Sequence, residues 1–206
     1  MYALVKDNTI QQIITSPKSI VIDDVRYPAK IFSLWSTSEL NAIGIYEVET
    51  NSTNFKDEKW YINTNESYSF ADNKVTRSWG TATAKAHADT LYTEQNKTDN
   101  LIPDGKDVGD VAVKGLKTQL IETLKQQVAD DLSKTDWYIT RNAEKSTAIP
   151  SAISTHRDAV RTKQAEMETA ITNASDTPAL ETLYTYTEQE DESVTRPLGE
   201  LPRLES

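Results

Sequence analysis

Cysteine is absent from this 206-residue chain, and histidine occurs only twice. The lack of thiolates excludes disulfide scaffolds, cysteine-ligated zinc sites and cysteine nucleophiles. Two histidines are too few for a histidine-rich metal centre. We therefore expect the protein to hold neither a metal nor a cofactor.

Long hydrophobic runs and positive charge are also scarce. Hydrophobic residues make up 37% of the chain, below the usual ~45–50%, which predicts an elongated shape or thin modules. The longest apolar runs, such as Ile20–Ile22, fall far short of the roughly 18–20 residues that span a bilayer. The net charge of −10 disfavours nucleic acid and anionic membranes as main partners. The N-terminus lacks the features of a signal peptide, so we expect an interaction protein made in the cytosol.

The first part of the chain, 1–81, has the composition of a small β-rich module. Short stretches of aromatic and β-branched residues alternate with turn signals. Three dipeptides of Asp and Asn separate these stretches, and both residue types tolerate the positive φ of a two-residue hairpin turn. The dipeptides are Asp7-Asn8, Asp23-Asp24 and Asp72-Asn73. Each predicts a β-hairpin.

One short helix is predicted inside this module. Ser36 and Glu39 have the spacing of a capping box. Gly44 stands where a glycine closes a helix at its C-terminus, so the helix is expected over about 37–43. The residues that follow, 45–48, alternate apolar and polar side chains as a half-buried strand does.

The period of the apolar residues changes after residue 81. Residues 82–95 carry a helix-like stripe of alanine and leucine, and 96–110, with proline and two glycines, are predicted to form a linker. From residue 111 apolar side chains recur in steps of three and four, the spacing of a helix that packs on a partner. A second helix is predicted to begin near Thr135 and to break at Pro150.

A third helix is predicted over 151–173. Apolar residues recur along it every seven positions, at Ile153, Val160, Met167 and Ala174. This period is compatible with the seam of a homo-oligomeric coiled coil. The favoured alternative is an antiparallel hairpin with the helices at 111–145, because the polar residues Arg157 and Gln164 interrupt a short seam.

The chain ends in a last short helix and a charged segment. Thr177-Pro178 begins the helix, and residues 187–206 contain six acidic and two basic residues, which predicts an extended acidic tail. The patterns together predict an α+β protein. Its parts are a β-rich docking module over 1–81, a helix and linker over 82–110, a helical module over 111–186 and the tail.

Motifs of enzyme active sites are missing from the sequence. The chain has no G-x-S-x-G sequence, no phosphate-cradling glycine loop and no histidine pair at i and i+4. Carboxylates are so common that pairs such as Asp130-Asp131 are interpreted as solvated helix faces. His156 has no serine or carboxylate at a recognisable spacing and is interpreted as a surface or interface residue. We therefore expect a protein without enzymatic activity.

Aromatic residues are concentrated in the β-rich module. They are Trp35, Trp60, Tyr61, Tyr68, Phe70 and Trp79. If these rings were exposed on a sheet, they would be suited to stacking on sugars. Alternation along the strands would instead point every second side chain inward, and the rings would then fill a small core. The core interpretation is favoured.

Two parts of the chain resemble proteins of tailed bacteriophages. The N-terminal module of small tail proteins encoded near fibre or baseplate genes is similar to residues 2–10 (YALVKDNTI), 27–32 (YPAKIF) and 35–46 (WSTSELNAIGIY). A helical module of tail-fibre-associated proteins from marine and cyanobacterial phages resembles residues 135–141 (TDWYITR), 148–150 (AIP) and 156–161 (HRDAVR). The second resemblance is the more specific, because an aromatic pair, an arginine and a proline-started helix are an uncommon combination.

The resemblance implies a non-enzymatic virion component that attaches parts of the tail fibre or baseplate to one another. Its implied partners are fibre or baseplate subunits, and by analogy with fibres any homo-oligomer is expected to be a trimer. A fibre-assembly chaperone absent from the mature virion is the alternative, and a glycan-binding receptor-recognition protein is less favoured. The candidate interface residues are Trp35, Trp137, Tyr138, Arg141, Ile153, Val160 and Met167.

Overall fold

The computed structural model describes residues 1–204 and shows an α+β protein, 36% helical and 23% strand. The chain forms two compact units, which meet between Thr83 and Ala84. This division lies close to the predicted boundary after residue 81. The first unit is built around a sheet and the second around helices.

The first unit consists of short strands with two small helices between them. In chain order they are β1 (Tyr2–Lys6), β2 (Thr9–Ile14), β3 (Ile20–Ile22), β4 (Val25–Tyr27), α1 (Ile31–Leu34), α2 (Thr37–Ala42), β5 (Ile45–Thr50), β6 (Tyr61–Ile62), β7 (Ser67–Ala71), β8 (Lys74–Ser78) and β9 (Thr83–Ala84). Five strands form one sheet in the order β2-β1-β5-β8-β7, in which only the neighbours β5 and β8 run parallel. The outer strands β2 and β7 approach each other, so the sheet is curled.

The three predicted hairpins are confirmed as β1–β2, β3–β4 and β7–β8. Both residues of every turn have a positive φ, between 47° and 65°. Asp and Asn enter this left-handed region more readily than other side chains with a Cβ atom. The turn residues therefore set the register of each hairpin locally.

The capping box and helix α2 are also confirmed. The Ser36 hydroxyl accepts from the amide of Glu39, and the Glu39 carboxylate accepts from the amide of Ser36. Gly44 has φ +81° and lies so close to β1 that a Cβ atom there would be 2.5 Å from the Val5 carbonyl oxygen. A glycine is required at this position for both reasons.

Side chains on the two faces of the sheet pack into two apolar clusters. Alternation along β1 sends Tyr2 and Leu4 to one cluster and Ala3 and Val5 to the other. The first cluster is centred on Ile14, Ile20, Ile31, Phe32, Leu40 and Ile45. Helix α1, which carries two of these residues, was not predicted because no side chain caps its N-terminus.

The second unit is mainly helical. Its elements are β10 (Thr90–Leu91), α3 (Glu94–Thr98), β11 (Val111–Val113), α4 (Leu116–Ser133), α5 (Asp136–Lys145), α6 (Ser151–Asn173), α7 (Thr177–Tyr184), β12 (Thr187–Glu188) and β13 (Val194–Thr195). Helix α6 packs along α4. Lys117 bonds to the carbonyl of Thr172, and Arg157 to the carbonyl of Leu132, so the two helices are antiparallel and the favoured hairpin arrangement is confirmed.

The helix predicted over 82–95 is wrong, and α4 begins at Leu116 instead of near residue 111. Strands β10 and β11 pair with each other, and the chain before them closes the N-terminus of α4. The carbonyls of Ala86 and His87 accept from the amides of Leu116 and Lys117. Two amides at the start of α4 that have no hydrogen-bond partner inside the helix thus donate to a segment distant in the chain. That segment cannot be helical itself, because its carbonyls are used in these bonds.

Gly115 makes this close approach possible. A Cβ atom at this position would lie 2.3 Å from the carbonyl oxygen of Ala88. The Asp89 carboxylate completes the cap by accepting from the amide of Gly115 at 2.7 Å and from the hydroxyl of Thr118 at 2.9 Å. Asp89 is therefore the N-capping side chain of α4, although it comes 26 residues before Gly115.

The predicted extended acidic tail is wrong for the described residues after α7. Strands β12 and β13 pair as an antiparallel hairpin that carries most of the acidic side chains. Leu198 is buried, and its amide donates to the carbonyl of Leu183. The buried side chain of Leu198 and this backbone hydrogen bond hold the C-terminal segment against α7. Residues 205–206 of the predicted tail lie outside the described part of the chain.

Candidate functional site

Arg157 of α6 holds the turn between α4 and α5. Its guanidinium donates to the carbonyl of Leu132 at 2.7 Å and to the hydroxyl of Thr135 at 2.6 Å, and lies 2.9 Å from the carboxylate of Asp136. The positive charge sits at the C-terminus of α4, where the helix dipole and unpaired carbonyls favour a cation. These contacts determine where α5 begins.

His156, the residue before Arg157, makes a second contact with α4. Its Nε2 atom lies 2.9 Å from the carboxylate of Asp131, which also accepts from Lys134 at 3.1 Å. Burial raises the pKa of Asp131, whereas the hydrogen bonds from Lys134 and His156 lower it. The lowering effects together are larger, so this pKa lies below its usual value. The carboxylate is therefore ionised in the folded protein at neutral pH.

Two interpretations from the sequence are corrected here. His156 is buried and not a surface residue, and Asp131, with 22% of its side chain exposed, is only partly solvated because it contacts His156. Their separation of 25 residues matches no local motif, so only the antiparallel packing of α4 and α6 brings them together. The one sequence signal was that His156 and Arg157 stand on a helix whose other buried positions are apolar.

Helix α5 is presented to solvent by this arrangement. None of its residues, Asp136–Lys145, is buried. Trp137 is 51% exposed and Ile139 is 41% exposed. Tyr138, Arg141 and Asn142 are half-buried, and Asp136 joins the start of the helix to Arg157.

The aromatic rings of α5 stack with an arginine. Trp137 and Tyr138 have ring centroids 3.8 Å apart, and the Arg141 guanidinium carbon lies 4.7 Å from the first centroid and 5.5 Å from the second. Helical spacing explains the contact, because Arg141 follows the two rings by four and three positions. We call Trp137, Tyr138 and Arg141 the α5 cluster.

Arg141 has cation–π contacts but no acidic partner among residues 1–204. Its Nε atom is buried and has no hydrogen-bond partner. A guanidinium carries five donors suited to a carboxylate or a phosphate. The α5 cluster thus combines an apolar surface with an unpaired positive charge.

The other predicted interface residues are not displayed. Ile153, Val160 and Met167 are buried within the second unit, so their seven-residue period serves the packing of α6 in the chain. Trp35 packs edge-to-face on Tyr27, with centroids 5.8 Å apart, and lies against the first-unit core. Of the predicted set, the structure brings together only Trp137, Tyr138 and Arg141.

The aromatic residues of the first unit are mostly used in packing. Trp60 and Tyr61 are buried. Trp79 is in contact with the ring of Phe55, at a centroid distance of 4.8 Å, and with the guanidinium of Arg77 at 4.4 Å. These contacts agree with the favoured core interpretation.

Within residues 1–204 no group of three His, Asp or Glu side chains is placed to bind a metal ion. The helices of that same part of the protein are too short or too polar to cross a membrane. Comparison of the chain with family models, with curated proteins and with solved structures gave no match.

Proposed function

We propose that this protein is a non-enzymatic structural component of a phage tail, in the fibre or baseplate, and that the α5 cluster docks it onto a neighbouring tail subunit. The observation that carries the proposal is the exposed ring of Trp137, stacked on the half-buried side chains of Tyr138 and Arg141, on a helix without fully buried residues. Tryptophan, tyrosine and arginine are the residues that most often dominate binding energy at protein interfaces.

The resemblance to tail-fibre-associated proteins supports this assignment. Of the stretches that carry it, 135–141 contains the cluster, and 156–161 contains the residues that hold the cluster in place. The two stretches meet where Arg157 contacts Thr135 and Asp136. The residues that carry the resemblance are therefore in contact with one another, and this contact positions the helix that carries the α5 cluster.

The charge of the chain favours a protein partner. Residues 84–206 contain 14 basic and 22 acidic side chains, which leaves −8 of the total charge of −10 in this region. Such a field repels nucleic acid and anionic lipid. A tail subunit with apolar surface can approach it.

Quantitative mass spectrometry of purified virions tests the proposal. We expect the chain at a fixed ratio to the major tail-tube protein, and we expect Trp137→Ala to lower its incorporation about tenfold or more, because removal of a hot-spot residue costs ~2 kcal/mol. Tyr186→Ala is the matched control, since Tyr186 is equally exposed at 51% in the same unit.

Two results would contradict the proposal. Absence of the chain from virions, with abundance in infected cells, would instead support the fibre-assembly chaperone. Equal incorporation of Trp137→Ala and Tyr186→Ala would show that the α5 cluster is not the docking surface.

A further inference from the structure

The chain contains a single Asp-Gly dipeptide, at Asp104 and Gly105. It lies in the loop between α3 and β11, where both residues are exposed. A glycine after an aspartate leaves its own backbone nitrogen open to approach, because no Cβ atom stands beside it. The side-chain carboxyl of the aspartate can then reach that nitrogen. This dipeptide is therefore the position at which the backbone is most susceptible to a covalent change.

The structure leaves both reacting groups free. Among residues 1–204, the Asp104 carboxylate has no hydrogen bond or ion pair, and the Gly105 amide donates to no acceptor. Gly105 has φ +82°, and no atom lies within 4 Å of the position that a Cβ atom would take. One backbone hydrogen bond, from the Lys106 amide to the Pro103 carbonyl at 3.1 Å, closes the turn. The dipeptide is thus held by a local turn and not by packing.

We propose that Asp104 is a site of spontaneous isomerisation to isoaspartate. In the first step the Gly105 nitrogen forms a bond to Cγ of Asp104, and one water leaves, made from the carboxyl hydroxyl and the amide proton. The product is a five-membered succinimide. In the second step water from the solvent adds to a ring carbonyl, and a carbon–nitrogen bond breaks. Cleavage at Cγ restores aspartate, whereas cleavage at the main-chain carbonyl leaves the chain running through the side-chain methylene.

Asp107, in the same loop, shows that exposure alone is not sufficient. Its carboxylate accepts from the amide of Val108 at 2.8 Å and from Lys97 at 3.2 Å. These hydrogen bonds hold the pKa of Asp107 below its usual value and keep the group ionised, whereas ring closure needs a neutral carboxyl whose hydroxyl can leave. The branched side chain of Val108 also crowds the nitrogen that would attack. Asp107 is therefore an internal reference that we expect to stay unchanged.

The structural effect of the isomerisation is expected to stay within the loop. The Tyr92 amide donates to the carbonyl of Asp110, and the Gly109 amide donates to the carbonyl of Tyr92, both at 2.9 Å. These two bonds hold the ends of the loop together. The isoaspartyl residue adds one methylene to the main chain between them, so we expect the fold to be retained. The change needs no partner and is independent of the proposed docking role.

Peptide mapping by liquid chromatography and mass spectrometry tests the proposal on the purified full-length protein. One portion is incubated warm in neutral buffer for several weeks, and another is kept frozen. The isomer has the same mass as the aspartyl peptide, so it is identified by its separate elution and by electron-transfer fragments on either side of residue 104. We expect the isomer to accumulate at residue 104 in the warm portion, while Asp107 remains aspartate.

Two variants and a reference peptide serve as controls. Asp104→Glu keeps the charge and is expected to form no isomer, because its carboxyl would have to close a less favourable six-membered ring. Gly105→Ala is expected to slow the accumulation severalfold, because a methyl group crowds the nitrogen. A synthetic peptide of residues 101–108 gives the rate in the absence of tertiary structure, and we expect the rate in the protein to be similar.

Three results would overturn the proposal. The first is a map of the warm protein identical to that of the frozen protein. The second is accumulation about tenfold slower in the protein than in the peptide, because protection of that size would mean that the turn is held closed. The third is equal accumulation in Asp104→Glu, which would trace the signal to another residue. A lower thermal midpoint of the isomerised protein would contradict an effect confined to the loop.

Discussion

Arg157 donates a hydrogen bond of 2.6 Å to the hydroxyl of Thr135, and both residues are buried. The two are 22 residues apart in the chain. Thr135 ends the connection from α4, and Arg157 lies in the first half of α6. This one contact ties the start of α5 to the helix that packs along α4, and it is the basis on which the α5 cluster is displayed.

Replacement of Arg157 is expected to destabilise the second unit strongly. Arg157→Met keeps much of the side-chain volume but removes the charged donor to the Leu132 carbonyl and the Thr135 hydroxyl, which keep only their bond to each other, and the ion-pair partner of Asp136. We expect a loss of about 3 kcal/mol in the free energy of unfolding, measured by urea denaturation. Arg161→Met is the control, since Arg161 has an exposed ion pair on the same helix, and a loss of similar size in both variants would contradict the prediction.

The stability of the α4–α6 contact is expected to fall in acid because of Asp131. The native pKa of this carboxyl lies below its unfolded value, so its contribution is present above about pH 4 and disappears as the pH falls through the native pKa. Asp131→Asn is expected to lose about 1–2 kcal/mol at pH 7 relative to the natural chain, and the difference should shrink as the pH falls through the native pKa of the carboxyl.

Unfolding in urea at a series of pH values checks this prediction. Asp130→Asn provides the control, because Asp130 is exposed and its bonded neighbour Gln126 lies on the same helix. A constant difference between the natural chain and Asp131→Asn across the whole pH series would show that the carboxylate charge has no role.

A methyl group at Gly115 is expected to disrupt the cap of α4. The Cβ atom of Gly115→Ala would lie 2.3 Å from a backbone carbonyl that cannot rotate away. We expect a loss of about 2–3 kcal/mol in the free energy of unfolding. Gly105→Ala, where no atom lies within 4 Å but φ is +82°, is expected to lose only about 1 kcal/mol from backbone strain, and equal losses would argue against the close approach.

The stability of the β7–β8 hairpin is expected to depend on how readily the residue at position 73 adopts a positive φ. Asn73 has φ +57°, so Asn73→Gly should keep or raise stability, whereas Asn73→Val should lose about 1–2 kcal/mol. Lys74→Val introduces the same side chain one position later, at the ordinary strand geometry of β8, and should lower the stability little. Thermal unfolding of the three variants measures the order, and a stable Asn73→Val would refute the turn assignment.

The exposure of Trp137 is expected to dominate quenching of tryptophan fluorescence by acrylamide. Trp137 is 51% exposed and Trp60 is buried. Trp137→Phe should remove most of the quenchable emission, while Trp60→Phe should leave the quenching constant nearly unchanged or raise it. The reverse order would place α5 against other parts of the protein and remove the candidate site.

Short-range patterns predicted the parts of this protein whose causes are local. The Asp and Asn dipeptides determine three turns, because their preference for positive φ acts within two residues. The capping box of Ser36 and Glu39 sets the start of α2 in the same way. The stack of Arg141 on Trp137 and Tyr138 follows from helical spacing, so the contact among these three predicted residues is also local; their role at an interface stays a prediction.

Long-range contacts decided what the same patterns missed. Residues 82–93 have the composition of a helix but are not helical, because the carbonyls of Ala86 and His87 are used to cap α4. His156 and Arg157 are polar residues that become buried only because Asp131 and Thr135 lie opposite them.

The amino-acid sequence by itself therefore determined the hairpin turns, the capped start of α2 and the chemical character of α5, each governed by residues close by in the chain. The tertiary structure decided which face of α6 is buried and which cluster reaches solvent. The reason is that hydrogen bonds and burial between distant segments outweigh local propensities of a few tenths of a kcal/mol per residue.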